Sequence, residues 1–92
     1  MKKGAKITIN GTVQGVFFRN FVKENAEKLE LKGFVRNLED KNVEIIVEGE
    51  GDNIKELIEL VKKGPPHSQI RSVDVKEKSW SGELKEFKIL RI

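Results

Sequence analysis

Val13-Gln14-Gly15-Val16-Phe17-Phe18-Arg19 joins two different hydrophobic periods. Upstream, Ile7, Ile9 and Val13 alternate with Lys6, Thr8, Asn10 and Thr12, the pattern of a strand with one buried face. Downstream, Phe18, Phe21, Val22, Asn25, Ala26 and Leu29 recur at helical spacing, the stripe that a helix lays on a sheet. The chain therefore turns from strand to helix within this stretch. Amides at a helix start lack partners, and the helix dipole adds partial positive charge. Anions bind in such a place, phosphate above all. Gly15 permits a sharp bend and the close approach of a ligand. Arg19, at or just inside the first helical turn, carries a planar fork suited to phosphate oxygens. A tight turn followed by a solvated arginine is the alternative that spacing alone leaves open.

Working outward, the first strand covers about Lys6 to Val13, and the first helix runs from roughly Asn20 to Leu31, entered through Phe18. Lys23/Glu27 and Glu24/Lys28 are solvent-side pairs one helical turn apart. A second strand, Phe34 to Leu38, follows Gly33. Glu39-Asp40-Lys41-Asn42 reads as a hairpin turn, with Asp40 or Asn42 taking positive φ. The third strand, Val43 to Gly49, puts Val43, Ile45 and Val47 inward and Glu44 and Glu48 outward onto a wet face. Asp52 is the expected N-cap of a second helix, Asn53 to Lys63, which Gly64-Pro65-Pro66 ends. A fourth strand, Ile70 to Glu77, and a short last one, about Lys85 to Leu90, complete the chain.

This order, βαββαβ plus a short final strand, places two helices on one face of an antiparallel sheet. A right-handed crossover joins the first two strands, and the third slots between them. The expectation is an α+β fold, the ferredoxin-like α/β plait.

The 92 residues suit a single domain, 1–92, with one core. A net charge of +3 within a charged fraction of 36% is too small and too scattered to argue for nucleic acid. The absence of cysteine excludes thiol nucleophiles and cysteine-based metal sites, and a single histidine excludes a histidine-rich one. The start of the chain has no leader-like apolar run and no stretch is long enough to span a membrane, so a cytoplasmic protein is expected. No large apolar stretch asks for a partner, which favours a monomer. The richness in Lys and Glu hints at a thermophilic source.

In the expected topology the first two strands end on the same sheet edge. Asn37 then lies two strand spacings, roughly 10 Å, from the strand–helix junction. Arg19 and Asn37 are placed to touch one small ligand, although capping of the hairpin accounts equally well for Asn37.

Gly11-Thr12-Val13-Gln14-Gly15-Val16-Phe17-Phe18-Arg19 resembles the first signature of the acylphosphatases, and Gly33-Phe34-Val35-Arg36-Asn37, with Val43 and Gly49 beyond, resembles their second. Gly64-Pro65-Pro66 with Val73, and Phe87-Lys88-Ile89, extend the resemblance over nearly the whole chain. It implies a small hydrolase of carboxyl-phosphate anhydrides that needs no metal or other cofactor. It assigns phosphate binding to the backbone of Gln14, Gly15, Val16, Phe17 and Phe18 and to the Arg19 side chain, and the attacking water to Asn37. The sequence departs from the family at Lys41 and Glu30, where glycine is usual, which suggests a longer first helix and a different hairpin turn.

The chemistry is coherent. An acyl phosphate carries a good leaving group, so positioning and charge stabilisation suffice. His67, after Pro65-Pro66, is expected on a loop distant from the junction, which argues against a phosphohistidine intermediate. Trp80 is expected to pack a loop against the sheet edge, and Phe17 either lines the pocket mouth or packs beside the loop. Two rivals share the fold. An RNA-binding domain would carry its aromatic signature on the third strand, where this chain has outward glutamates. A ligand-binding regulatory module usually rides on a larger chain.

Overall fold

The computed structural model describes residues 1–12 and 16–91. Its elements are β1 (Lys2–Thr12), α1 (Val16–Lys28), β2 (Lys32–Asn37), β3 (Val43–Glu50), α2 (Gly51–Lys63), β4 (Gln69–Lys78) and β5 (Phe87–Leu90). The sheet order is β4-β1-β3-β2-β5. As the crossover rule requires, β3 lies between β1 and β2 and runs antiparallel to both. The sheet is nevertheless mixed, because β5 pairs with β2 in parallel. The residues after β4 cross from one sheet edge to the other over the open face. That path is secured by Glu48, whose carboxylate accepts hydrogen bonds from the amides of Ser81 (3.0 Å) and Gly82 (3.2 Å) and from the Ser81 hydroxyl (2.9 Å). Alternation within the last strand carries no information about its direction.

Both helices cover one face. Phe18, Val22 and Ala26 of α1 and Ile54, Leu57 and Val61 of α2 meet Ile7, Ile9, Val35, Val43, Ile45 and Val47 in one core cluster. The open face is less wet than its glutamates suggest. Glu44 is only 6% exposed, covered by Arg36 (Nε to Oε1, 2.9 Å) and Lys6 (Nζ to Oε2, 3.5 Å). Trp80 is about half exposed, with the Lys2 ammonium 5.9 Å from its ring centroid.

The first helix begins four residues before the expected Asn20 and stops three before Leu31. Its end is a hydrogen-bonded cap in which the Leu31 amide donates to the Ala26 carbonyl (2.9 Å) and the Glu30 amide to that of Glu27 (3.0 Å). Glu30 takes the left-handed position of that cap, at φ 56°. In the hairpin the left-handed residue is Lys41, at φ 72°, and neither Asp40 nor Asn42. The Lys41 amide donates to Leu38 (3.1 Å) and the Leu38 amide to Asn42 (2.8 Å), a tight turn followed by a bulge. The departures from glycine thus leave both turns in place and strain them instead. A side chain in this region costs about 1–2 kcal/mol, partly offset by glycine's greater freedom in the unfolded chain, about 0.4–1 kcal/mol. Glu30→Gly and Lys41→Gly are each expected to raise the unfolding free energy by about 0.5–1 kcal/mol. The two sites lie at opposite ends of β2, so the gains should add in chemical denaturation of the double variant.

α2 starts at Gly51 and its N-cap is Glu50, which makes no side-chain capping bond. The expected cap, Asp52, lies inside the first turn, where its charge complements the helix dipole. The Gly51 amide is instead satisfied by the Met1 carbonyl (3.0 Å), while the Met1 ammonium pairs with Glu50 (2.8 Å). That ammonium holds the Glu50 carboxyl below its ordinary pKa. Gly64, at φ 74°, closes α2 by donating its amide to Leu60 (2.9 Å).

Candidate active site

Strand register decides what meets at the C-terminal ends of β1 and β2. Ile9 pairs with Val43, and Val43 pairs with Asn37, so the three form one row across β1, β3 and β2. Residues directly opposite in adjacent strands share a face. Ile9 and Val43 are fully buried on the helix-covered side, so Asn37 faces that side too. It is the last residue of β2. Its carboxamide oxygen is buried without a hydrogen-bond partner among the described residues. Buried acceptors are nearly always satisfied, and an orphan carbonyl oxygen costs about 1–3 kcal/mol.

α1 supplies what lies above it. The helix follows β1, returns to the start of β2, and packs over β2 and β5. Its N-terminus therefore overhangs the sheet edge that carries Asn37. Val16, Phe17 and Phe18 are already helical, and not loop residues as their sequence position suggests. Their amides belong to the first turn, which has no intrahelical acceptors, the setting in which helix N-termini commonly bind anions. Arg19 completes the first turn and is half-buried beside the buried Phe18. Gln14 and Gly15, the other two expected phosphate-binding positions, lie outside the described residues, as does Val13.

A polar network missed by sequence reasoning joins the two halves of the site. The Asn10 side-chain amide donates to the Asn42 Oδ1 (2.7 Å), and Asn42 donates through its backbone and side chain to Asp40 (3.0 and 3.2 Å). The end of β1 is thereby tied to the hairpin that follows Asn37. The signal in the sequence is a pair of outward asparagines, and only the register brings them together.

His67 is not distant. Gln69 pairs with Thr12, so the segment from α2 to β4 lies at the same sheet edge, on the far side of β1 from Asn37. His67 is exposed, at φ 71°. The expectation failed because β4 doubles back along the whole of β1. Among the described residues no group of His, Cys, Asp or Glu is clustered to hold a metal ion, and no helix is long and apolar enough to cross a membrane.

Comparison with known proteins points to one family. A family model described as Acylphosphatase matches residues 5–89. The acylphosphatase of Rubrobacter xylanophilus is 41% identical over 87 residues, covering 95% of this chain and 79% of that protein. The one from Pyrobaculum aerophilum is 42% identical over 87 residues, covering 94% and 92%. Among solved structures, the acylphosphatase from Bacillus subtilis superposes with a TM-score of 0.91 at 37% identity, covering 98% of this chain and 99% of that one.

Proposed function

The chain belongs to the acylphosphatase family, and from that premise we propose how its own residues hydrolyse an acyl phosphate to a carboxylate and phosphate. The family and the fold make it a hydrolase of such anhydrides; the roles below are the proposal. The phosphoryl group sits at the start of α1, held by the amides of Gln14 to Phe18 and by the Arg19 guanidinium. The Asn37 carboxamide oxygen accepts a hydrogen bond from a water and aims its oxygen at phosphorus. As the P–O bond to the acyl group breaks, the new bond to the water oxygen forms on the opposite side. The water's proton passes to a phosphoryl oxygen or to the departing carboxylate, so no protein base is needed. The observation that carries this reading is the Asn37 oxygen at the end of β2, buried and without a hydrogen-bond partner among the described residues.

The proposed roles of the described residues call for no metal, and the mechanism uses none. The reading includes a small acyl phosphate as the only partner, and action as a cytoplasmic monomer, on sequence grounds. The RNA-binding rival gains nothing from the fold, because the strap after β4 lies over Glu48 on the sheet face such a domain would use.

Acetyl phosphate turnover in the presence of a chelator tests the reading, with inorganic phosphate as a competitive inhibitor. His67→Ala should turn over at the wild-type rate. Turnover that stops with the chelator, or a phosphoenzyme that vanishes with His67, would sink the mechanism.

A further inference from the structure

Resting on the reading above, we propose that Phe17, with Val16 beside it, is the acyl-group side of the site and selects acyl phosphates whose acyl portion is apolar, aromatic ones above all. Phe17 is 89% exposed and Val16 is 52% exposed. The next two aromatic residues are used differently. Phe18 is buried, and its ring centroid lies 6.2 Å from that of half-buried Phe21. The helix thus commits Phe18 to the core and leaves Phe17 in water, where a polar side chain would serve solubility and a strong helix former would serve α1 better.

In-line displacement says what the exposed ring faces. The attacking and leaving oxygens lie on opposite sides of phosphorus. Asn37 lies on the sheet side of α1, the side towards which Phe18, Val22 and Ala26 are turned. The leaving acyl group must therefore depart on the side away from the sheet. That is the side of Phe17, since so exposed a residue lies on the solvent face of the helix. Helical side chains also lean towards the helix N-terminus, which carries Phe17 towards the bound phosphate. A phosphate held by the first-turn amides thus has a carboxamide on one flank and a phenyl ring on the other. A ring of the acyl group meeting that phenyl edge-on or offset gains about threefold to tenfold in selectivity.

The test compares kcat/KM for benzoyl phosphate and acetyl phosphate in wild type, Phe17→Ala and Phe17→Leu. The benzoyl-to-acetyl ratio should fall about tenfold in Phe17→Ala, with the change in the KM for benzoyl phosphate, and by less in Phe17→Leu. A ratio within twofold of wild type in Phe17→Ala, or equal losses on both substrates, overturns the inference and leaves the hydrolase mechanism standing. Wild-type protein that hydrolyses neither substrate overturns that mechanism and this inference with it. The exposure of Phe17 makes misfolding of the variants unexpected, and circular dichroism checks each before assay.

Discussion

Asn37→Ala is expected to lower kcat for acetyl phosphate by about 100- to 1000-fold, the loss typical of one preorganised catalytic hydrogen-bonding group, without lowering the denaturation midpoint. The two halves of this result have one cause. Among the described residues, the buried Asn37 oxygen has nothing to accept from. Such an acceptor destabilises by about 1–3 kcal/mol, which roughly offsets the contacts that alanine gives up. Removing it therefore leaves stability level or slightly improved. In the proposed mechanism the same acceptor orients water, an interaction realised as the water attacks, so its loss should fall on kcat and hardly on KM. Steady-state kinetics and urea denaturation on the same preparation decide the matter. If activity and stability fall together, Asn37 is a hairpin cap and the water must be held elsewhere. Stability sacrificed at a working residue is common in enzymes, and here it traces to one atom.

Gly33→Ala should do the reverse. Gly33 lies in β2 at φ 146°, where a Cβ would stand 1.8 Å from the Ile46 carbonyl oxygen and 2.8 Å from its carbon. Both atoms are backbone of β3, in the middle of the sheet. On the other side the Gly33 amide donates to the Glu86 carbonyl (2.9 Å), where the chain enters β5. Neither flank can yield without breaking a ladder, so the variant is expected to lose at least about 3 kcal/mol, the range of severe backbone clashes. Gly33 and Asn37 are both in β2 but four residues apart, about 13 Å along the strand. Whatever fraction of Gly33→Ala remains folded should therefore keep the wild-type kcat. Equilibrium denaturation and turnover per folded molecule check this. A fully stable Gly33→Ala would show that β2 and β3 can separate at this point, contrary to the register.

Much of the fold was legible because it is written in local periods. The alternation of Ile7 and Ile9, the helical stripe from Phe18 through Ala26, and the Gly64-Pro65-Pro66 stop each depend on neighbours in the chain. Connection rules then left little freedom in the placing of β3. The helix boundaries were less legible. The stripe of α1 begins at Phe18, whereas the helix begins at Val16, because Val16 and Phe17 are apolar but exposed, off the buried stripe, and so blur its period. The glutamates of β3 were rightly placed on the outer face. Their burial depends on Lys6, Arg36 and Ser81, which come from three other parts of the chain.

By itself the sequence determined the element order, the two motifs that carry the family resemblance, and the candidacy of Asn37. The tertiary structure alone decided that Ile9, Val43 and Asn37 form one row, that β5 runs parallel to β2, that the segment bearing His67 returns to the C-terminal end of β1, and that the Asn37 oxygen has no partner among the described residues. The reason is physical. A period is set by residues a few positions apart, whereas register and burial are set by contacts between strands far apart in the chain, whose side chains meet only once the sheet has formed.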